Sequence, residues 1–399
     1  MSIIYHDTRM NTAKPDPWKK TTLPFLWQGH SLEYDIPHDV FSTQWIDEGT
    51  CLLLDHLPAF SPRRILDLGC GYGALGLPVA KQNPSATTIL VDRDLLAVKW
   101  SRLNANKNSL TNVHCLGSLG FDSLDPSQTF DWILCNVPAR IGPPFMKMLL
   151  EEGNARLSPG GELRIVIIRD LLPLLESTAQ TSDLELRQIA AGPRHLILGL
   201  IRTDRDAPVP DPDLYLRDRV EVEGLNLERP FDLGGDDPKR LKSTLPLFFE
   251  TLPRNSSPRK ILCVKSAYGA VPLFCHRRWP EADLITFDRD LLGVRFTRRN
   301  LARIFPGAPV EVIEGAGMAE FPMDSGPFDL ITYEVSPSLG PAAASDDLMQ
   351  IHRLLNPSGS AHLICTDRSY REFLKAWNGP GRLTRIAGRD GLTVLQMTR

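Results

Sequence analysis

One passage of this chain is written twice. Ile261-Leu262-Cys263-Val264-Lys265-Ser266-Ala267-Tyr268-Gly269-Ala270 aligns with Ile65-Leu66-Asp67-Leu68-Gly69-Cys70-Gly71-Tyr72-Gly73-Ala74 at a shift of 196 residues. At the same shift Asp288-Arg289-Asp290-Leu291-Leu292 repeats Asp92 to Leu96, and Asn300 repeats Asn104. Phe328 to Thr332 repeats Phe130 to Leu134, and Leu355 to Gly359 repeats Leu157 to Gly161, both at a shift of 198. So many matches at nearly one offset define a tandem duplication. Each copy alternates β-branched apolar runs with amphipathic stretches, which predicts two doubly wound α/β domains with mostly parallel sheets. The expected divisions are an N-terminal extension over 1–29, a first domain over 30–203, a Pro/Asp-rich linker over 204–220 and a second domain over 221–399.

Within the first copy, an apolar run ends at Asp67 and breaks into Gly69, Gly71 and Gly73 before an apolar helix. That order reads as strand, tight turn and helix N-terminus, with glycines that let the backbone approach a nucleotide-like ligand. A second β-branched run ends in Asp92, where a ribose-binding carboxylate falls, and Asp94 is better placed to cap the helix that begins near Leu95. Ser118, past the third strand, reads either as an adenine-edge contact or as a turn serine. Asn136-Val137-Pro138-Ala139 closes the fourth strand, on the edge where open α/β sheets bind ligands. An Asn oxygen and the next backbone carbonyl, both accepting from an exocyclic amine, would aim its nitrogen at an electrophile.

The order Asp67-x-Gly69-x-Gly71-x-Gly73 resembles class I S-adenosylmethionine methyltransferases of Rossmann-like fold. With Val40-Phe41-Ser42, Ile46-Asp47, Gly49-Thr50, Asn136, Pro138 and Leu157 to Leu163, the first copy resembles bacterial ribosomal-RNA guanine-N2 methyltransferases of the small-subunit type. The resemblance covers residues 31–203 and extends in outline to the whole chain, since that family is itself a tandem duplication with one degenerate half. It implies S-adenosylmethionine held by Asp67, Gly69, Gly71, Gly73, Asp92 and Ser118. Methyl transfer to a base amine would be guided by Asn136, Val137 and Pro138. Two departures stand out: the family keeps its intact motifs in the second half, and its Asn-Pro-Pro-Phe is here Asn136-Val137-Pro138-Ala139. The stacking ring would then come from Phe41, Trp45 or Phe145, or its place be taken by Arg140.

The second copy keeps the apolar positions and loses the chemical ones. Asp67 becomes Cys263, Gly69 becomes Lys265, Gly71 becomes Ala267 and Asn136 becomes Glu334. A Lys where only glycine lets a ligand approach predicts a copy that has lost its cofactor. Overall charge is −3, which carries no nucleic-acid signature, but Arg254 to Arg303 holds eleven bases against four acids and Asp206 to Asp237 ten acids against three bases. Arg295, Arg298, Arg299 and Arg303 share one helical stripe and read either as RNA-phosphate contacts or as a solvated basic face. Seven cysteines without a C-x-x-C pair speak against a disulfide framework or a structural zinc site, and Cys70, Cys115, Cys135 and Cys263 read as small buried hydrophobes. With no long apolar run and no basic leader, the chain reads as a cytoplasmic monomer without a metal.

Overall fold

A computed structural model describes residues 16–40, 45–139, 142–203, 211–231 and 243–399. The first copy opens with a hairpin of β1 (Lys19–Trp27) and β2 (His30–Pro37), followed by α1 (Glu48–Leu54). Then come β3 (Arg64–Leu68), α2 (Gly76–Gln82), β4 (Thr87–Asp92), α3 (Leu95–Lys107), β5 (Val113–Gly117), β6 (Phe130–Asn136), α4 (Pro143–Ala155), β7 (Leu157–Ile168), α5 (Leu172–Thr181), β8 (Arg187–Ala191) and β9 (His195–Ile201). The second copy repeats the plan with β10 (Leu216–Val222), β11 (Leu225–Pro230), α6 (Leu245–Thr251), β12 (Lys260–Val264), α7 (Ala270–Arg278), β13 (Asp283–Asp288) and α8 (Leu291–Ile304). It ends with β14 (Val310–Glu314), β15 (Phe328–Glu334), α9 (Pro341–Leu354), β16 (Leu355–Thr366), α10 (Asp367–Ala376), β17 (Arg382–Arg389) and β18 (Leu392–Thr398).

Each copy forms a seven-stranded sheet, in the orders β5-β4-β3-β6-β7-β9-β8 and β14-β13-β12-β15-β16-β18-β17. The inner strands pair in parallel and the last two run antiparallel. Strands covered on both faces read as unbroken apolar runs, and Ile65, Leu66, Ile133, Leu134 and Val166 are all sealed from solvent. All seven cysteines are free and six, including the four singled out from sequence, are buried. Among the described residues no helix is long and apolar enough to cross a membrane, and no group of three or more His, Cys, Asp or Glu gathers as a metal site.

β7 is irregular over residues 158–161, with Gly160 at φ +77. Two of the expected divisions fall inside paired elements. The 29/30 boundary cuts the β1-β2 hairpin, and the 220/221 boundary cuts β10; the linker's residues 204–210 lie outside the described residues. Hydrogen bonding gives the reason. In the first copy the Asn104 side chain donates to the carbonyls of Asp35 and Tyr72 and accepts from the Asp35 N–H. In the second, Asn300 does the same with Glu228 and Tyr268. One buried amide therefore ties the hairpin to the turn, and the hairpin belongs to its domain.

The copies meet on a local two-fold. The N–H of Leu95 donates to the Arg289 carbonyl, that of Leu291 donates to the Arg93 carbonyl, and Asp94 and Asp290 form an antiparallel bridge. The repeated Asp-Arg-Asp-Leu-Leu is thus a seam that pairs with its own duplicate.

Candidate active site

At the carboxyl edge of the first sheet lies a cavity of about 400 Å³, a size suited to a nucleoside-bearing cofactor. Asp67, Gly69, Gly71, Asp92, Ser118, Asn136, Val137 and Pro138 all line it, so the sheet gathers these sequence-separated residues around one space. Gly69 and Gly71 stand at φ +79 and +56 with open space where a Cβ would project. Gly73, at φ +95, instead packs its backbone against Leu77. The turn is therefore built for a ligand's close approach at two glycines and for helix packing at the third.

Asp67 is 1% exposed, and its Oδ2 accepts from the Gly76 N–H at 2.8 Å. A Cβ at Gly76 would lie 2.7 Å from that oxygen, so glycine at 76 is what admits the carboxylate. Burial raises the Asp67 carboxyl to about 7, opposed by the Gly76 N–H and reinforced by Asp92. A cationic ligand would lower it again. Asp92 accepts from the Gly71 N–H and the Asp94 N–H, both at 2.9 Å, through different oxygens. Each oxygen keeps a further lone pair for a hydroxyl donor. Asp94 caps α3 through the Leu96 N–H, as expected. The Ser118 hydroxyl donates to the Gly120 carbonyl and accepts from the Ser123 N–H, so its side chain serves the turn. Of the two readings of Ser118, the turn serine describes its side chain.

At the other end of the cavity, Asn136 Nδ2 donates to Asp47 Oδ2 at 3.0 Å and to Thr50 Oγ1 at 2.8 Å. A carboxylate accepts only, so the amide's orientation is fixed and its Oδ1 is the atom left over. Asp47 also caps α1 through the N–H groups of Gly49 and Thr50. Asp47 and Thr50, which the sequence showed only inside a resemblance and without a role, hold the Asn136 amide across more than 80 residues.

Of the candidate stacking groups, Phe145 lines the cavity, while Trp45 is 73% exposed and outside it. Phe41 and Arg140 lie outside the described residues. Each arginine of the stripe has a partner within the chain. Arg299 pairs with Glu228 and Asp213, Arg295 with Asp122, Arg298 with Glu314, and Arg303 donates to the Asn226 carbonyl. Through Arg299 and Arg303 the locally basic helix meets the locally acidic stretch of the chain and holds the second hairpin in place.

Residues 34–182 match the family described as Methyltransferase small domain. The uncharacterized protein YbxB of Bacillus subtilis is 36% identical over 149 residues, covering 37% of this chain and 74% of YbxB. The chain belongs to the methyltransferase small domain family. Among other members, ribosomal RNA large subunit methyltransferase G of Pseudoalteromonas atlantica is 31% identical over 186 residues, 43% of this chain and 48% of the relative. Ribosomal RNA small subunit methyltransferase C of Pseudomonas entomophila is 35% identical over 159 residues, 38% of this chain and 46% of the relative. The chain spans about half the length of these two. The solved structure of RsmC, the 16S rRNA N2 methyltransferase of T. thermophilus with AdoMet and guanosine, superposes with a TM-score of 0.66 at 16% identity. That match covers 96% of this chain and 99% of the other, so the likeness of fold embraces both copies.

Proposed function

We propose that this methyltransferase small domain protein uses S-adenosylmethionine to methylate the exocyclic amine of an RNA base, guanine N2 in ribosomal RNA. The observation that carries the reading is the Asn136 amide, whose two protons are consumed by Asp47 and Thr50. A carbonyl oxygen remains to accept from an amino group. An exocyclic amine delocalises its lone pair into the ring, and two fixed acceptors, Asn136 Oδ1 and the Val137 carbonyl, favour a pyramidal nitrogen. Pro138 stiffens the turn that presents them. The nitrogen sheds its proton after becoming cationic, so no general base is required beforehand.

The residues present fit the cofactor: two glycines with open space before them, a carboxylate with free lone pairs for ribose hydroxyls, and a buried carboxyl that a cation would ionise. Bound there, S-adenosylmethionine supplies an electrophilic methyl on a sulfonium. The names of two relatives, both ribosomal RNA methyltransferases, support the acceptor class. The test incubates the purified protein and methyl-labelled cofactor with ribosomal RNA and ribosomal subunits that lack the modification, then digests the RNA to nucleosides. Label in N2-methylguanosine is expected. Label confined to protein would overturn the acceptor, and label in another nucleoside would move the target.

A further inference from the structure

The two copies exchange more than a seam. In the first hairpin the His38 N–H donates to the Trp18 carbonyl, and in the second the Phe231 N–H donates to the Tyr215 carbonyl, so the residues at each hairpin base correspond. Neither pair serves its own sheet's cleft. Trp18 packs over Gly317 and His38 over Gly340, both in the second copy. Tyr215 and Phe231 line the first copy's cavity, Tyr215 beside Gly120 and Phe231 over Gly142. Gly120 and Gly317, like Gly142 and Gly340, are equivalent positions. A Cβ at Gly142 would lie 2.7 Å from the Phe231 ring, and one at Gly340 would lie 2.3 Å from the His38 ring. Each half is thus notched with small residues to receive rings from the other.

The rings at the first cavity are held from outside. The Arg295 guanidinium lies over Tyr215 at 5.8 Å and pairs with Asp122; the Arg217 guanidinium lies over Phe231 at 6.0 Å. Gly142 is six residues beyond Asn136, at the N-terminus of α4, so Phe231 walls the same end of the cavity as the amide acceptor. Phe145 lines the cavity too, but from the first copy and packed on that copy's own core. A base presented to Asn136 has its edge satisfied by polar atoms and needs an apolar plane for its face.

We propose that the second copy completes the catalytic cleft of the first, with Phe231 as the ring on which the acceptor base stacks. This rests on the RNA-base reading above. The degenerate half then contributes acceptor specificity, the feature that Asn136-Val137-Pro138-Ala139 lacks in its own strand end.

The test measures steady-state methyl transfer to RNA by the full-length wild type, Phe231→Ala, Phe231→Leu and Phe231→Trp, with cofactor affinity by calorimetry on each. Losing one base-stacking ring lowers kcat/KM for RNA by about 10- to 100-fold. The expected pattern is that loss in Phe231→Ala, nearly as much in Phe231→Leu, recovery in Phe231→Trp, and cofactor affinity within about twofold throughout. Trp18→Ala, the mirror substitution at the inert site, should leave KM for RNA unchanged. Wild-type kinetics in Phe231→Ala, full activity in Phe231→Leu, or an equal loss of cofactor affinity would overturn the stacking role alone. A wild type that transfers no methyl to RNA would remove the parent reading, and this one with it.

Discussion

At the first glycine turn the protein encloses about 400 Å³; at the second, about 30 Å³ remains between the equivalent strands. The path of the backbone is similar, with Lys265 at φ +61 where Gly69 has +79. The contents differ in a concerted way. Cys263 replaces the Asp67 carboxylate, and Pro272, which has no N–H to offer it, stands in the place of Gly76. Leu247 stands at the Thr50 position, and Thr244, where Asp47 would be, leaves its helix without a side-chain cap. The space is taken by Phe287, by the Tyr333–Asp347 pair and by Asp39 from the first copy. Asp39 accepts from Arg289 at 3.0 Å and from Ser336 and Ser338; burial works against its charge, but Lys265 and Arg289 hold it below the usual carboxylate range. Where the first copy keeps a cavity, the second has an ion-paired core. The apolar strand residues survived both histories because packing alone demands them.

The sharpest way to break this contrast is stoichiometry. Calorimetry should find one cofactor site per chain, with affinity reduced more than about 100-fold in Asp92→Ala, since a doubly hydrogen-bonded carboxylate would be lost. Two sites, or binding intact in Asp92→Ala, would refute the division of labour. Next in size, Asn136→Ala should lower kcat by about 10²- to 10³-fold while leaving cofactor affinity within about twofold, as expected for an acceptor that acts in the transition state. Asp47→Ala should cost about 1 kcal/mol of stability through the lost cap. It should also lower kcat about tenfold, because the Asn136 amide is then held by Thr50 alone; chemical denaturation and single-turnover rates separate the two effects.

A subtler difference concerns protons. Burial holds Asp67 up to about 7 in the folded protein, whereas an unfolded Asp titrates near 4. The folded protein therefore binds a proton that the unfolded chain releases. The associated stability is fully present below about pH 4 and is lost as pH rises through about 7. Asp67→Asn should gain stability relative to the wild type between pH 5 and pH 8, and cofactor affinity should rise with pH more steeply in the wild type than in the variant, where Asp92 still titrates. The smallest expected effect is none: Lys265→Gly should not create a second site, because Asp39 and Phe287 still fill it.

Much of this was legible in the chain itself. Glycines with a following carboxylate declare a turn and its ligand because glycine takes those dihedrals without strain and leaves the approach open, and a repeated Asp-Arg-Asp-Leu-Leu declares duplication. Less visible was what the repeats do together. Asn104 and Asn300 matched as letters, yet only their bonds show them clamping hairpins. The arginine stripe read equally as a nucleic-acid surface because its acidic partners, Asp213 and Glu228, lie more than 70 residues away. Asp47 and Thr50 escaped assignment for the same reason: hydrogen-bond partners across a sheet leave no periodicity to find.

The exchange of hairpin bases also bears on ancestry. Once each half lent rings to its neighbour, mutation could erase the chemistry of one copy without making that copy dispensable. A gene shortened to the intact half would encode a cleft with one wall missing. Mutual lending of this kind acts as a ratchet: it lets redundancy decay at one site while forbidding the return to a single domain.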